Sequence, residues 1–324
     1  MKKFAFKNTE SIAGAASLLK SGNAAVLAGG TDILNLLKAD AFSQSPELLV
    51  NIKNIPGLDT ISEDTGGSTI GSLTRLNDIA SSEVIKAKYP ALAEAAGLIA
   101  APAIRNMATI AGNLCQEVRC WYFRRSFLTG NTFDCLRKGG NQCYAVSGDN
   151  RYHAILGGKG CFAVCPSDIA VVLTALDAKI ITSKRSIPIE DLFGPLGNIL
   201  DRDEIITRIE IPGTPPGTNQ KFLKFTIRPA LDFSIVSAAA MITTNDGRVT
   251  ESRIVLGAVA PSPYRAAGAE ESLKGKSISQ STAEEAAAEA VRDASPLSKN
   301  RYKIQIAKTL VKRAVLACIP SEAG

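Results

Sequence analysis

Two spacings of apolar residues alternate along the early part of this chain. AAVLA, residues 24–28, is a short apolar run that reads as a strand. It ends at Gly29-Gly30, and ILNLLKA follows with apolar positions at helical spacing behind Thr31 or Asp32 as N-cap. LLVNI from residue 48 repeats the strand signal before a turn at NIPGLD, and STIGSLTRLNDIA, 68–80, predicts a strand leading into a capped helix. ALAEAAGLIA is helical, and Pro102 ends it. CPSDIAVVLTALDAKIIT predicts a helix from Pro166-Ser167-Asp168 to about Ala178, then a strand KIIT. DEIITRIEI, 203–211, alternates like a strand. GTPPGTNQ, 213–220, is the most linker-like segment. Beyond it come strands near 221–228, 233–242 and 251–260 and two helices, STAEEAAAEAVRDA and NRYKIQIAKTLVKRAVLA. The pattern predicts a mixed α/β or α+β chain. A two-part first domain, 1–215, precedes a small C-terminal domain, 216–324, with an antiparallel sheet backed by helices.

Composition narrows the class. The 324 residues are 45% hydrophobic and 21% charged, as in a water-soluble globular protein. Lys and Arg outnumber Asp and Glu by 37 to 31, a mild excess without a basic run, and it does not point to nucleic acid. No segment is long and apolar enough to span a bilayer. The start, MKKFAFKNTESIAGAASLLKSG, carries Glu10 and Lys20 where a signal peptide needs an uninterrupted apolar core. The expected location is the cytoplasm, where clustered cysteines point to metal or redox chemistry before disulfides.

AGGTD has a specific physical use. Glycines after a strand let the backbone turn tightly and approach a ligand, and a helix start behind them suits a phosphate. A plain turn with a Thr or Asp cap is the alternative, since neither G-x-G-x-x-G nor a P-loop is present. Asp32 would repel a phosphate unless it points away. ATIAGNLCQ, 108–116, leaves room for a flat ligand against the backbone. Asp168 in PSD is either a plain cap or an acceptor from a cofactor hydroxyl.

Six of the seven cysteines lie between 115 and 165. Cys115-x4-Cys120 and Cys161-x3-Cys165 are near zinc-pair spacings. Four soft thiolates converging from a loop also suit an iron–sulfur cluster. Cys318 lies on the last helix pattern and reads as a small buried apolar side chain. His153, the only histidine, reads as structural rather than as a ligand or proton shuttle, and no His-based triad is supported.

Taken in order, VLAGGTDILNLLK, ATIAGNLCQ, PSDIAVVLTALDA, FLKFTIRPALDFSIVSAAA and GAVAPSPYRA resemble the FAD-binding (medium) subunit of the molybdenum hydroxylases, the xanthine dehydrogenase and carbon monoxide dehydrogenase family. The resemblance runs from Phe4 to about Ala317. It implies an FAD site in which the run Val26, Leu27, Ala28, Gly29, Gly30, Thr31, Asp32, Ile33 wraps the diphosphate. Ile99 and Ala100 line the flavin pocket, and Thr109, Ala111, Gly112 and Asn113 contact the cofactor. Asp168 holds a cofactor hydroxyl, Ile206 packs near it, and Lys224 lies near the isoalloxazine edge. It also implies partners: a large subunit carrying the molybdenum cofactor, a small subunit with two [2Fe–2S] clusters, and an external electron carrier. The aromatic residue that members with an NAD site place beside the flavin has no identified counterpart here.

The long segment between Asn113 and Pro166 resembles a subset of that family, the flavin subunits of 4-hydroxybenzoyl-CoA reductase and of a bacterial aldehyde oxidoreductase. There an inserted loop carries a [4Fe–4S] cluster. By resemblance the ligands are Cys120, Cys135, Cys143 and Cys161, spaced C-x14-C-x7-C-x17-C, with Cys115 and Cys165 packing around the FAD site. Arg119, Arg124, Arg125, Arg137 and Lys138 either offset the thiolate charge or form a solvated surface. The insertion, about 114–165, has few core formers and is expected to depend on its metal. The FAD motifs lie outside it, so FAD is expected to bind without it. Other classes of reading are a zinc-stapled nucleotide-binding scaffold and a stand-alone flavin reductase. A visible spectrum separates them.

Overall fold

The computed structural model describes residues 1–124, 133–229 and 231–320; Arg125 lies outside them. The first sheet has three parallel strands, with Leu48–Asn51 between Ala5–Asn8 and Ala24–Leu27. Parallel strands need crossover connections, and the helices Ile12–Lys20 and Ile33–Lys38 lie in the two that join these strands. Ser11 caps the first of these helices, its hydroxyl accepting from the Gly14 N–H at 3.1 Å. The opening stretch of the chain is thus a strand and a helix, neither of which the apolar pattern singled out.

The second sheet has five antiparallel strands in the order Ile61–Asp64, Gly67–Gly71, Ile206–Pro212, Lys179–Thr182, Ser186–Pro188. Its central strand follows the insertion and pairs with one that precedes it, so the sheet closes around the intervening chain. The helices Pro90–Gly97 and Asp168–Ala175 pack together in the main core. Every residue of Asp168–Ala175 is buried, which is why DIAVVLTA shows no polar stripe. Pro102 does not end a helix. Pro90–Gly97 has already stopped, and Pro102 opens the short helix Pro102–Arg105, where its missing N–H costs nothing.

The third sheet, Thr218–Phe225, Val236–Asn245, Arg248–Gly257 and Tyr264–Arg265, is antiparallel. Alternation along its strands serves two cores. Phe222, Ala239 and Val255 face the core that holds Leu92 and Ile169. Val236, Ala238, Ala240 and Ile242 face the helices Gln280–Glu289 and Tyr302–Leu316. The glycine- and proline-rich segment before this sheet is a short surface connection, while the core continues beneath it.

The insertion has more packing of its own than its sequence suggested. Arg119 and Val164 bridge its two feet. Between them Tyr122, Phe133 and Tyr144 meet at ring centroids 4.9–6.4 Å apart, and Trp121 packs edge-on to His153 at 5.6 Å. Aromatic residues are few but large, and four of them concentrated in one loop make a small core.

Candidate functional site

A cleft opens where the first sheet meets the second. One wall is the turn after Ala24–Leu27, with Val26, Ala28, Gly29, Gly30, Thr31, Asp32 and Ile33 in its lining. The facing wall is the start of the helix Ile110–Leu114, with Thr109, Ala111 and Gly112, and Leu200, Glu204, Ile205 and Ile206 complete it. The two glycine motifs, some eighty residues apart in sequence, therefore face one space.

Local geometry explains the glycines. Gly30 has φ of +73°, a conformation that disfavours side chains. A Cβ on Gly29 would stand 1.9 Å from the Met107 carbonyl oxygen, so Gly29 is required by the neighbouring backbone before any ligand. Thr109 caps its helix by accepting from the Gly112 N–H at 3.2 Å. The Ile110 N–H donates to Thr74 O at 2.9 Å and that of Ala111 to Ser72 O at 3.2 Å, which fixes this wall to the end of the strand Gly67–Gly71. With glycine at positions 29, 30 and 112, little but main chain separates the cleft from a bound molecule. A pyrophosphate-bearing ligand with an apolar ring system fits a cleft of this make-up.

The remaining expected contacts lie outside this lining. Leu27 is buried in the layer between sheet and helix. Asn113 is buried, and its Oδ1 accepts from the Ser167 hydroxyl at 2.6 Å, which ties it to the cap of Asp168–Ala175. Asp168 and Lys224 pair with each other at 2.9 Å. Asp168 Oδ1 also accepts from Ser234 and Ser237 at 2.7 and 3.0 Å. Lys224 donates to Leu98 O at 3.2 Å, and Arg105 donates to the carbonyls of Ile99 and Ala100 at 3.0 and 2.6 Å. Ala100 has φ of +47°. Thus Ile99, Ala100, Asp168 and Lys224 form a second group, joined to the cleft helix through Asn113. Three donors on one carboxylate leave Asp168 room for one more.

Asp32, the carboxylate that raised a repulsion problem, is neutralised from the insertion. Its Oδ1 accepts from Arg119 Nη2 at 3.1 Å and from Arg124 Nη2 at 2.9 Å, and its Oδ2 accepts from the Glu117 N–H at 2.9 Å. It makes no cap hydrogen bond to its own helix. Burial, then Arg124, lower the Arg119 guanidinium to about 10, against the pull of Asp32, so it stays charged at neutral pH. Arg119 and Arg124 thus face Asp32 and do not form a solvated surface.

Cys115, expected around the FAD site, lies in the cleft lining, whereas Glu117 and Glu204 had no signal in the sequence. Cys115, Gln116 and Glu117 line the cleft from inside the insertion, so the separation of flavin motifs from insertion does not hold. Glu204 lines the other wall, and Arg185 Nε and Nη2 donate to it at 2.9 and 3.0 Å. That pair holds its carboxyl down at about 2.

The expected metal ligands gather in a separate patch. Cys135 and Cys161 are buried with Val118, Phe123 and Ala163, Cys120 packs against them, and Leu36 belongs to both this patch and the cleft. Burial, and then the nearby Cys143 and Cys161, push the Cys120 thiol up to about 12. His153 Nε2 lies 3.2 Å from Cys120 Sγ, and Arg137 Nε donates to Cys161 Sγ at 3.2 Å. Lys138 Nζ stands 5.7 Å from the Phe123 ring centroid. Cys165 is held elsewhere by its N–H on Ala260 O at 2.9 Å, and Cys318 is buried under Val236–Asn245 with Sγ 3.9 Å from Ala240 O. Among the described residues no group of three or more His, Cys, Asp or Glu side chains is arranged to hold a metal ion. The four thiols share a neighbourhood without being drawn to ligand distance. As a soft, low-dielectric donor set they suit an iron–sulfur cluster.

Comparison with known proteins points to a family of flavoproteins. A family model described as the FAD binding domain in molybdopterin dehydrogenase matches residues 2–214, and one described as the CO dehydrogenase flavoprotein C-terminal domain matches residues 221–318. The aldehyde oxidoreductase FAD-binding subunit PaoB of Escherichia coli (strain K12) is 34% identical over 327 residues, covering 95% of this chain and 96% of that one. The carbon monoxide dehydrogenase medium chain of Hydrogenophaga pseudoflava is 29% identical, covering 97% and 96%. A solved carbon monoxide dehydrogenase from the same organism superposes with a TM-score of 0.78 at 26% identity, over 98% of this chain and 97% of that one. No helix among the described residues is long and apolar enough to cross a membrane. The chain belongs to the FAD-binding medium subunits of the molybdenum hydroxylase family, and is an oxidoreductase subunit.

Proposed function

We propose that this chain carries electrons between a molybdenum-containing large subunit and an external carrier, with FAD in the cleft and a [4Fe–4S] cluster on Cys120, Cys135, Cys143 and Cys161. A small subunit with two [2Fe–2S] clusters would connect it to the molybdenum site, and the assembly would work in the cytoplasm. The carrying observation is that Gly29–Gly30 and Thr109–Gly112, the two motifs assigned to FAD, line one cleft.

FAD supplies the exchange between one-electron carriers and two-electron acceptors. The chain's residues bind and orient it. The main chain of Gly29, Gly30 and Thr31 would hold the diphosphate, with Asp32 held back by Arg119 and Arg124. Thr109, Ala111 and Gly112 form the opposing wall, while Ile205 and Ile206 exclude water. Asp168 keeps one acceptor position for a hydroxyl, and Lys224 holds it in place. Arg137 donates to Cys161 Sγ and His153 Nε2 meets Cys120 Sγ, so both would border a cluster held by these sulfurs. Hydrogen bonds of this kind to a thiolate raise the potential of the group it ligates.

The test is the visible spectrum of anaerobically purified protein with iron and sulfide analysis, on the complex and on this chain released from it. Flavin peaks over a broad shoulder that bleaches on reduction, with iron and sulfide retained by the released chain, are expected. A colourless zinc protein, or flavin without iron in the released chain, would refute the cluster assignment.

A further inference from the structure

The residues that hold Asp32 all come from one short piece of the insertion. Arg119 and Arg124 flank Cys120, and Glu117 provides the third donor. The piece is folded on itself, since Arg124 Nε donates to Val118 O at 2.8 Å and its Nη2 to Glu117 O at 2.6 Å. Its foot is fixed by the Arg119–Val164 pair, with backbone bonds of 2.9 and 3.2 Å. Leu36, one helical turn beyond Asp32, packs into the cysteine patch. The Asp32 side chain is only 14% exposed, so its charge is poorly screened by water and depends on these partners.

We propose that Asp32, held by Arg119 and Arg124, is a latch through which the cysteine-bearing insertion sets the affinity of the cleft for FAD, a coupling that rests on the cofactor reading above. Asp32 and its two guanidiniums sum to one positive charge beside the turn that would face the diphosphate, and the Glu117 carboxylate in the same lining stands near Arg124 and Arg137. When the insertion is in place the local field favours an anion. When it is displaced, Asp32 alone remains and repels one. Cys120 lies within the folded piece, so a group bound at its sulfur would hold both arginines in register. Arg119 and Arg124 are positioning residues here, acting through Asp32.

The experiment is equilibrium FAD binding, read by flavin fluorescence on the flavin-depleted protein with the subunits that accompany it, alongside iron content. Arg124→Gln is expected to weaken FAD about tenfold or more, less so at high salt. Asp32→Asn should bind at least as well as the native protein, and Asp32→Asn/Arg124→Gln should recover most of the loss. A role confined to holding the loop fold would not be rescued by removing a charge. Cys120→Ser, depleted of iron, should weaken FAD by a factor similar to that of Arg124→Gln. Native affinity in Arg124→Gln, absence of rescue in the double variant, or native affinity in iron-free Cys120→Ser would each overturn the latch while leaving the FAD site standing. Native protein that binds no FAD would overturn both.

Discussion

Lys224 Nζ lies 2.9 Å from Asp168 Oδ2, and each side chain is only 5% exposed. The two were assigned separate cofactor contacts from the sequence, yet they are each other's counter-charge. A half-removed buried pair leaves an uncompensated ion. Lys224→Met is therefore expected to cost about 3 kcal/mol of stability, with Ser234 and Ser237 the remaining support for Asp168 among the described side chains. Adding Asp168→Asn should recover most of it. Urea denaturation of the three variants checks this, and additive losses would show that the residues do not act as a pair.

The two cleft glycines should behave differently. In Gly29→Ala the new methyl meets the Met107 carbonyl at 1.9 Å, so the backbone must move, at about 3 kcal/mol. Both stability and flavin content should fall. In Gly112→Ala the methyl meets only the Thr109 hydroxyl at 2.8 Å. The lost cap is roughly offset by the better helix former, at about 1 kcal/mol each way. This variant should keep its melting temperature and lose flavin, because position 112 lines the cleft. Undiminished flavin in folded Gly112→Ala would remove that helix from the site.

Glu204 gives the acid limb of stability a specific source. Its folded pKa, about 2, is below its ordinary value of 4.5, mainly through Arg185. A depressed carboxyl stabilises above its unfolded pKa, and that contribution is lost as pH falls from about 4.5 towards 2. Glu204→Gln should therefore be about 2 kcal/mol less stable than the native chain at neutral pH. The gap should close by pH 2. Parallel denaturation curves across the range would show a constant gap if Glu204 is not the group responsible.

Serine replacements divide the cysteines. Cys120, Cys135, Cys143 and Cys161 share a patch and should each lose iron when changed, since a hard hydroxyl replaces a soft thiolate. Cys115, Cys165 and Cys318, held in other surroundings, should retain it. Iron lost from Cys165→Ser and kept in Cys161→Ser would exchange the fourth ligand.

Much of this was written in the local pattern. AAVLA, LLVNI, KIIT and the C-terminal strands were legible because their apolar runs are bounded by turn residues. DIAVVLTA was legible through its Ser cap. The motif at Gly29-Gly30 and that at Thr109–Gly112 could be named as site residues, but that they face each other depends on sheet pairing across the insertion. The pairing of Arg119 and Arg124 with Asp32 was not legible, because charge near cysteine in sequence says nothing of which acid it meets in space. Their partner is some ninety residues upstream. Ala5–Asn8 was missed because its strand is exposed along its length, so burial leaves no alternation to read.

Lys303 carries the last consequence. It is fully buried at the start of Tyr302–Leu316, where its ammonium donates to the carbonyls of Tyr152 and His153 at 3.2 and 3.1 Å and also to that of Ala258. Asn300 reaches His153 O and Ala154 O at 3.1 Å, and Asn150 is held by Ser298 and the Lys299 N–H. The far side of the insertion is therefore finished by residues made about 150 positions later. On the ribosome that loop emerges long before its clamps do. The loop cannot reach its finished fold until the helix Tyr302–Leu316 has been made, so loading of the proposed cluster would follow synthesis of that helix and not that of the loop alone.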